Sequence, residues 1–134
     1  MVVVDTNILA YLLIAGDRTD QARSLFARDS EWKSEAFILV EFSNILATYC
    51  RSNSMSVQAA ERLSGSAERV MRTLVGVPHL VALQTARKFG VSAYDARFLA
   101  AAHSSRGRLI TEDARLREAA PELTESLQHA LSDG

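Results

Sequence analysis

Four acidic residues stand out by their surroundings: Asp5, Glu41, Asp95 and Asp113. Asp5 closes the apolar run "VVVD", and Asp113 follows a second short apolar run in "LITED". Asp95 stands in "SAYDA", at the head of a helical pattern, and Glu41 in "LVEFSN", inside a strongly apolar one. Carboxylates drawn together repel by several kcal/mol per pair at close range, even in a moderately polar medium. A fold gathers them when some stay protonated or when a cation sits among them. Oxygen-only donors select a hard ion, Mg²⁺ or Mn²⁺. Such an ion supports phosphoryl chemistry: it holds a phosphate oxygen, activates water and stabilises the leaving oxygen.

Each acid also has an ordinary explanation. Ser92 and Asp95 have the S-x-x-D spacing of a capping box. Asp113 can cap "ARLREAA", and Asp5 or Thr6 can cap the first helix, each for about 1 kcal/mol. Glu41 can be a half-exposed helical acid bonded to Asn44. Other catalytic groups are scarce. His79 follows Pro78 in a loop, His103 ends a helical stretch and His129 lies in the tail, none with a partner at ligand spacing.

The elements that must position the acids follow from apolar periodicity. "VVVD" suits a central parallel strand buried on both faces. Ile8, Leu9, Leu12 and Leu13 repeat at helical spacing, with a stop at Gly16. "DRTDQARSLFARDS" predicts a second helix with Ala22, Leu25 and Phe26 inward, and "EWKS" a weak strand. "EAFILVEFSNILATYCRS" is helical, with Ile38, Phe42, Ile45, Leu46 and Tyr49 on one face. "SVQAAERLSGSAERVMRTL" is one long amphipathic helix or two short ones, with Gly65 between two serines as the break. "VGVP" predicts a brief strand, "LVALQTARKFG" a helix closed by Gly90, and "VSAYDARFLAAAHSSRG" a helix ending near Gly107. "RLIT" is the last clear strand, "DARLREAA" a helix closed by Pro121, and "ELTESLQHALSDG" a weakly patterned, helical tail. Short strands alternating with helices predict an α/β fold, a parallel sheet with helices on both faces. Ligands of such sheets bind beyond the carboxyl ends of the strands. That edge would collect Asp5 and Asp113, then Asp95, and Glu41 if its helix starts there too.

Residues 1–134 fit one domain, with the tail 122–134 weakly defined. Composition is ordinary for a globular chain, and the net charge of −1 brings no global basic field to attract nucleic acid. An acidic site ringed by arginines remains open. All fifteen basic residues but Lys33 and Lys88 are Arg, the better residue for forked phosphate contacts. The lone cysteine, Cys50, cannot form an internal disulfide; it reads as a buried thiol in a reducing compartment. Neither a signal-peptide pattern nor a membrane-length apolar run is present, so a cytoplasmic location is expected.

Taken together, "VVVDTNILAYLL", "EFSNIL", "SAYDARFLAAA" and "LITEDARL" resemble a PIN domain. Their order and spacing are similar to the small bacterial and archaeal ribonuclease toxins of the VapC group, members of type II toxin–antitoxin pairs. The resemblance runs from Val2 to about Pro121. It implies a three-layer sandwich around a short parallel sheet. It also implies that Asp5, Glu41, Asp95 and Asp113 are the acidic quartet. Asp5 and Asp113 would be the principal ligands of a catalytic Mg²⁺ (or Mn²⁺), with Glu41 and Asp95 completing its surroundings. Thr6 and Asn7 match the polar pair after the first acid, and Asn7 or Thr111 would hold a carboxylate in place. Glu112 reads as solvent-facing. The implied reaction is endoribonucleolytic, on exposed loops of tRNA or ribosomal RNA. Arg97, Arg106 and Arg108 are candidate phosphate contacts. A homodimer, a cognate antitoxin whose tail enters the acidic groove, and no membrane complete the expectation. One departure is expected: the family's last short strand is replaced by a helical tail.

Rivals fit less well. A receiver-type signalling domain needs a lysine after a late strand, which "RLITEDARL" lacks. A haloacid-dehalogenase-like phosphatase needs a second aspartate where this chain has "DTN". A binding-only PIN-like module has no use for all four acids. A PIN nuclease of RNA processing, without antitoxin, is the nearest alternative.

Overall fold

The computed structural model describes residues 1–132. Five parallel strands form one sheet in the order β3-β2-β1-β4-β5: β1 Val2–Val4, β2 Trp32–Glu35, β3 Thr73–Val75, β4 Leu109–Ile110 and β5 Thr124–Glu125. β1 is central, as its unbroken valine run requires, with Val3 and Val4 fully enclosed. Its neighbours are β2, in register Val2 with Trp32, and β4, in register Val3 with Leu109. The chain leaves β1 towards β2 and β3, then returns across the sheet to β4. The gap between β1 and β4 is therefore the switch point, where a crevice opens beyond the strand ends.

Helices flank the sheet: α1 Thr6–Leu13, α2 Thr19–Arg28, α3 Phe37–Arg51, α4 Val57–Val70, α5 His79–Phe89, α6 Ala93–Ser104, α7 Ala114–Ala119 and α8 Leu127–Ser132. α6 packs across β1, β2 and β4, which is why its run from Phe98 to Ala102 is buried almost all round. The small side chains Ala100 and Ala101 let α5 lie close against α6, over Val77 and Ala82. α1 packs with α2, α3 and α4, enclosing Ile8, Leu9, Ile38, Phe42 and Leu46 in the main core.

Several local expectations need correction. α4 runs unbroken through Gly65, because its N-terminal Ser56 cap and its packing against α3 outweigh one glycine. β3 is "TLV", ahead of the expected "VGVP", since pairing with Lys33–Glu35 sets its register. The tail does contain the missing strand: β5 pairs with β4, and the Thr111 amide donates to the Glu125 carbonyl at 3.0 Å. A two-residue strand carries no periodicity of its own; it exists because β4 offers an edge. Tyr49 points outward, and Cys50, near the end of α3, is half-buried rather than enclosed. α6 ends before Gly107: Arg106 itself takes the left-handed conformation (φ 57°).

Candidate active site

A cavity of about 600 Å³ opens at the carboxyl end of the sheet, and Asp5, Glu41, Asp95 and Asp113 all line it. Each arrives by a different local route. β1 ends at Asp5, whose carboxylate caps α1 by accepting from the Ile8 amide at 3.1 Å. Thr111, fully buried just past β4, turns the chain there by accepting the Asp113 amide at 3.1 Å. One oxygen of Asp113, Oδ1, then takes the Arg115 and Leu116 amides at 3.0 and 3.3 Å to cap α7. Ser92 caps α6 by accepting the Asp95 amide at 3.0 Å, which brings Asp95 round to the cavity in the first turn. Glu41 enters from the second turn of α3, where the buried Thr6 hydroxyl donates to its Oε1 at 2.6 Å.

The capping explanation is thus true of the Asp5 and Asp113 carboxylates and does not exhaust them, whereas at α6 the capping side chain is Ser92. A cap uses one carboxylate oxygen, and the other stays available to the cavity. Burial drives the Asp5 carboxyl from an ordinary 3.8 up to about 6; the Thr111 hydroxyl and Ile8 amide oppose this, and the charges of Asp95 and Asp113 add to it. Asp95 is likewise raised, by burial and then by Asp113. Asp5 therefore lies within the field of Asp95 and Asp113, and Asp95 within that of Asp113. Among the described residues, no three acidic, histidine or cysteine side chains are gathered into a ready-made metal cage. A few well-separated carboxylates suit a hydrated Mg²⁺, which keeps several waters and takes only one or two protein carboxylates. The donor set, all oxygen, and the uncompensated charge at Asp5 both fit such an ion.

The secondary candidates divide. Thr6 donates to the Glu41 carboxylate and Thr111 accepts the Asp113 amide, whereas Asn7 is exposed on the cavity rim. Glu112 does not face solvent. Largely buried, it binds Arg18 at 2.6 Å, accepts the Leu127 amide at 2.9 Å and so ties α8 to the sheet. Arg97 is not free for RNA. Its guanidinium binds Glu35 at 3.1 Å, the Val77 carbonyl at 2.9 Å and the His79 ring at 2.6 Å. Arg106 and Arg108 lead into β4, so they sit at the opposite edge of the sheet, where Arg108 shares a separate hollow with Met1 and Asp29.

Sequence reasoning missed Glu35. It is 2% exposed and accepts the Phe37 and Val77 amides at 2.7 and 2.9 Å besides its ion pair with Arg97. The available signal was its place, an acid ending a strand as Asp5 does. Its charge is fully matched, which separates it from the quartet.

The PIN domain family model matches residues 2–121. The chain belongs to the PIN domain family. PIN domains are generally nucleases that typically use divalent metal ions, so family membership implies a nuclease-type function. The fold is similar to the crystal structure of PAE2754 from Pyrobaculum aerophilum, with a TM-score of 0.78 at 21% identity over 97% of this chain and 92% of that one. At that identity the likeness speaks for the fold. Among curated proteins, none matches.

Proposed function

We propose that this PIN domain is a Mg²⁺-dependent endoribonuclease acting in the cytoplasm as the toxin of a type II toxin–antitoxin pair. The observation that carries the reading is the cavity itself: four acids from four separate segments line it, and one carries a buried, unmatched charge. Asp5 and Asp113 would hold the ion, with Asp95 and Glu41 beside it. When bound, the ion supplies charge stabilisation at the scissile phosphate and a more acidic water. The chain's own part is positional. Thr111 holds the Asp113 amide through its hydroxyl, and Thr6 holds the Glu41 carboxylate. Phe98 and Leu116 add apolar surface to the cavity wall.

The toxin role rests on the likeness of the four motifs to the VapC group. An acidic groove suits the basic tail of an antitoxin, since an arginine there would offset charge as the ion does. A homodimer would give the exposed Leu80 and Leu83 of α5 an apolar surface to cover. Purified protein should cut structured RNA, tRNA or ribosomal RNA among the substrates, with Mg²⁺ or Mn²⁺ and not with EDTA. Asp113→Asn should stop the cutting while the circular dichroism spectrum is kept; equal cutting by that variant would overturn the assignment. The neighbouring reading frame separates toxin from RNA-processing nuclease: a small DNA-binding protein with a basic tail is expected there.

A further inference from the structure

The arginines expected to hold substrate phosphates are committed elsewhere. Arg97 is spent on Glu35 and His79, Arg18 and Arg117 on Glu112, and Arg106 and Arg108 lie at the far edge of the sheet. The acids themselves repel a phosphodiester. The arginines singled out for substrate phosphates thus offer no ion pair at this cavity. What the rim offers is aromatic. Phe37 opens α3 and Tyr94 lies in the first turn of α6, and their rings stack with centroids 5.4 Å apart and planes 14° from parallel. Phe37 packs against the main core, so the pair is anchored from below. Tyr94 lies on top and is 62% exposed, and its hydroxyl has no hydrogen-bond partner among the described residues. Both rings line the acid cavity, and Tyr94 directly precedes Asp95 in the chain.

We propose that the Tyr94–Phe37 stack is a platform for one unpaired nucleobase next to the scissile phosphate, which makes this PIN domain selective for single-stranded nucleic acid; this rests on the nuclease reading above. A base has a flat π-face to lay on the exposed ring, and a paired base inside a duplex cannot present it. The ring is already ordered by Phe37, so little freedom is lost when the base arrives. A base seated there leaves its phosphate one short step away, over Asp95 and Asp5. Tyr94 is a positioning residue, since it touches substrate away from the reacting atoms.

The test uses the full chain and short oligoribonucleotides carrying 2-aminopurine, whose fluorescence falls on stacking. Rapid mixing with Mg²⁺ present reads binding before any strand is cut. Single strands should be quenched, and the same probe annealed into a duplex should not. Tyr94→Ala should weaken binding about tenfold and raise KM more than it lowers kcat. Tyr94→Phe should keep the quench, and Phe37→Leu should diminish it by loosening the ring above. The exposure of Tyr94 means the alanine variant should fold, which circular dichroism checks. Wild-type affinity and quench in Tyr94→Ala would overturn the platform. So would intact oligonucleotide binding by that variant together with lost binding of a basic-tailed protein, which would make the face a protein-docking surface. Quenching without cleavage would leave the platform standing and sink the nuclease reading; cleavage without quenching, with an unchanged KM in Tyr94→Ala, would do the reverse.

Discussion

Asp5 ends β1 because a charge cannot stay inside the valine-lined core, and it comes out half-buried on the cavity wall. Its carboxyl titrates at about 6 against 3.8 in an unfolded chain, so the folded state holds the proton more tightly. Without a cation, stability is therefore lost as pH climbs through the window from 3.8 to about 6, and it stays at the lower level above that. The shift corresponds to about 2–3 kcal/mol. Asp5→Asn keeps a cap of equal quality and removes the charge. Metal-free Asp5→Asn should then be more stable than wild type at neutral pH, by about 2 kcal/mol in urea titration, yet inactive and unresponsive to Mg²⁺. Wild type should gain stability from Mg²⁺ at neutral pH and little at pH 4. Arg97 makes the opposite case. Arg97→Ala strands the buried Glu35, so it should cost about 3 kcal/mol in denaturant unfolding. RNA affinity of the folded fraction should not change.

At the scale of elements, the long, strongly periodic helices were legible and the short strands were less so. Burial repeats every three to four residues along α2 and α3, and that pattern is written in the chain. β3 and β5 are three and two residues long, too short for alternation to register, and their partners decide where they begin. α4 shows the limit of reading a glycine as punctuation. Gly65 is an ordinary helical position, and a methyl group there would meet only the mobile end of Arg69, at 3.4 Å. Gly65→Ala should stabilise the protein by about 0.5–1 kcal/mol in thermal or chemical unfolding, without effect on cleavage. Gly90 differs: at φ 67° it closes α5 in the left-handed conformation, as its position after a helical run predicts.

At the scale of the whole molecule, the sheet order assigns each charged segment to an edge. All five strands run the same way, so loops leaving strands and loops entering them are separated by the length of the sheet. Arg106→Ala with Arg108→Ala should accordingly leave the rate of RNA cleavage unchanged in a direct comparison with wild type. With a net charge of −1 and no basic side chain lining the cavity among the described residues, RNA affinity should fall only shallowly with salt. Among the described residues, no helix is long and apolar enough to cross a membrane.

The sequence by itself determined the long helices, the central place of "VVVD" and the choice of four acids as candidates. Those follow from local propensity, apolar spacing and the cost of burying charge, all properties of neighbouring residues. Tertiary structure alone decided which charges are matched. Glu35 and Arg97 meet across 62 positions, Arg18 and Glu112 across 94, and Thr6 and Glu41 across 35. No local pattern encodes a partner so far along the chain, because the pairing exists only once parallel strands and their crossover helices have brought the segments to the same edge.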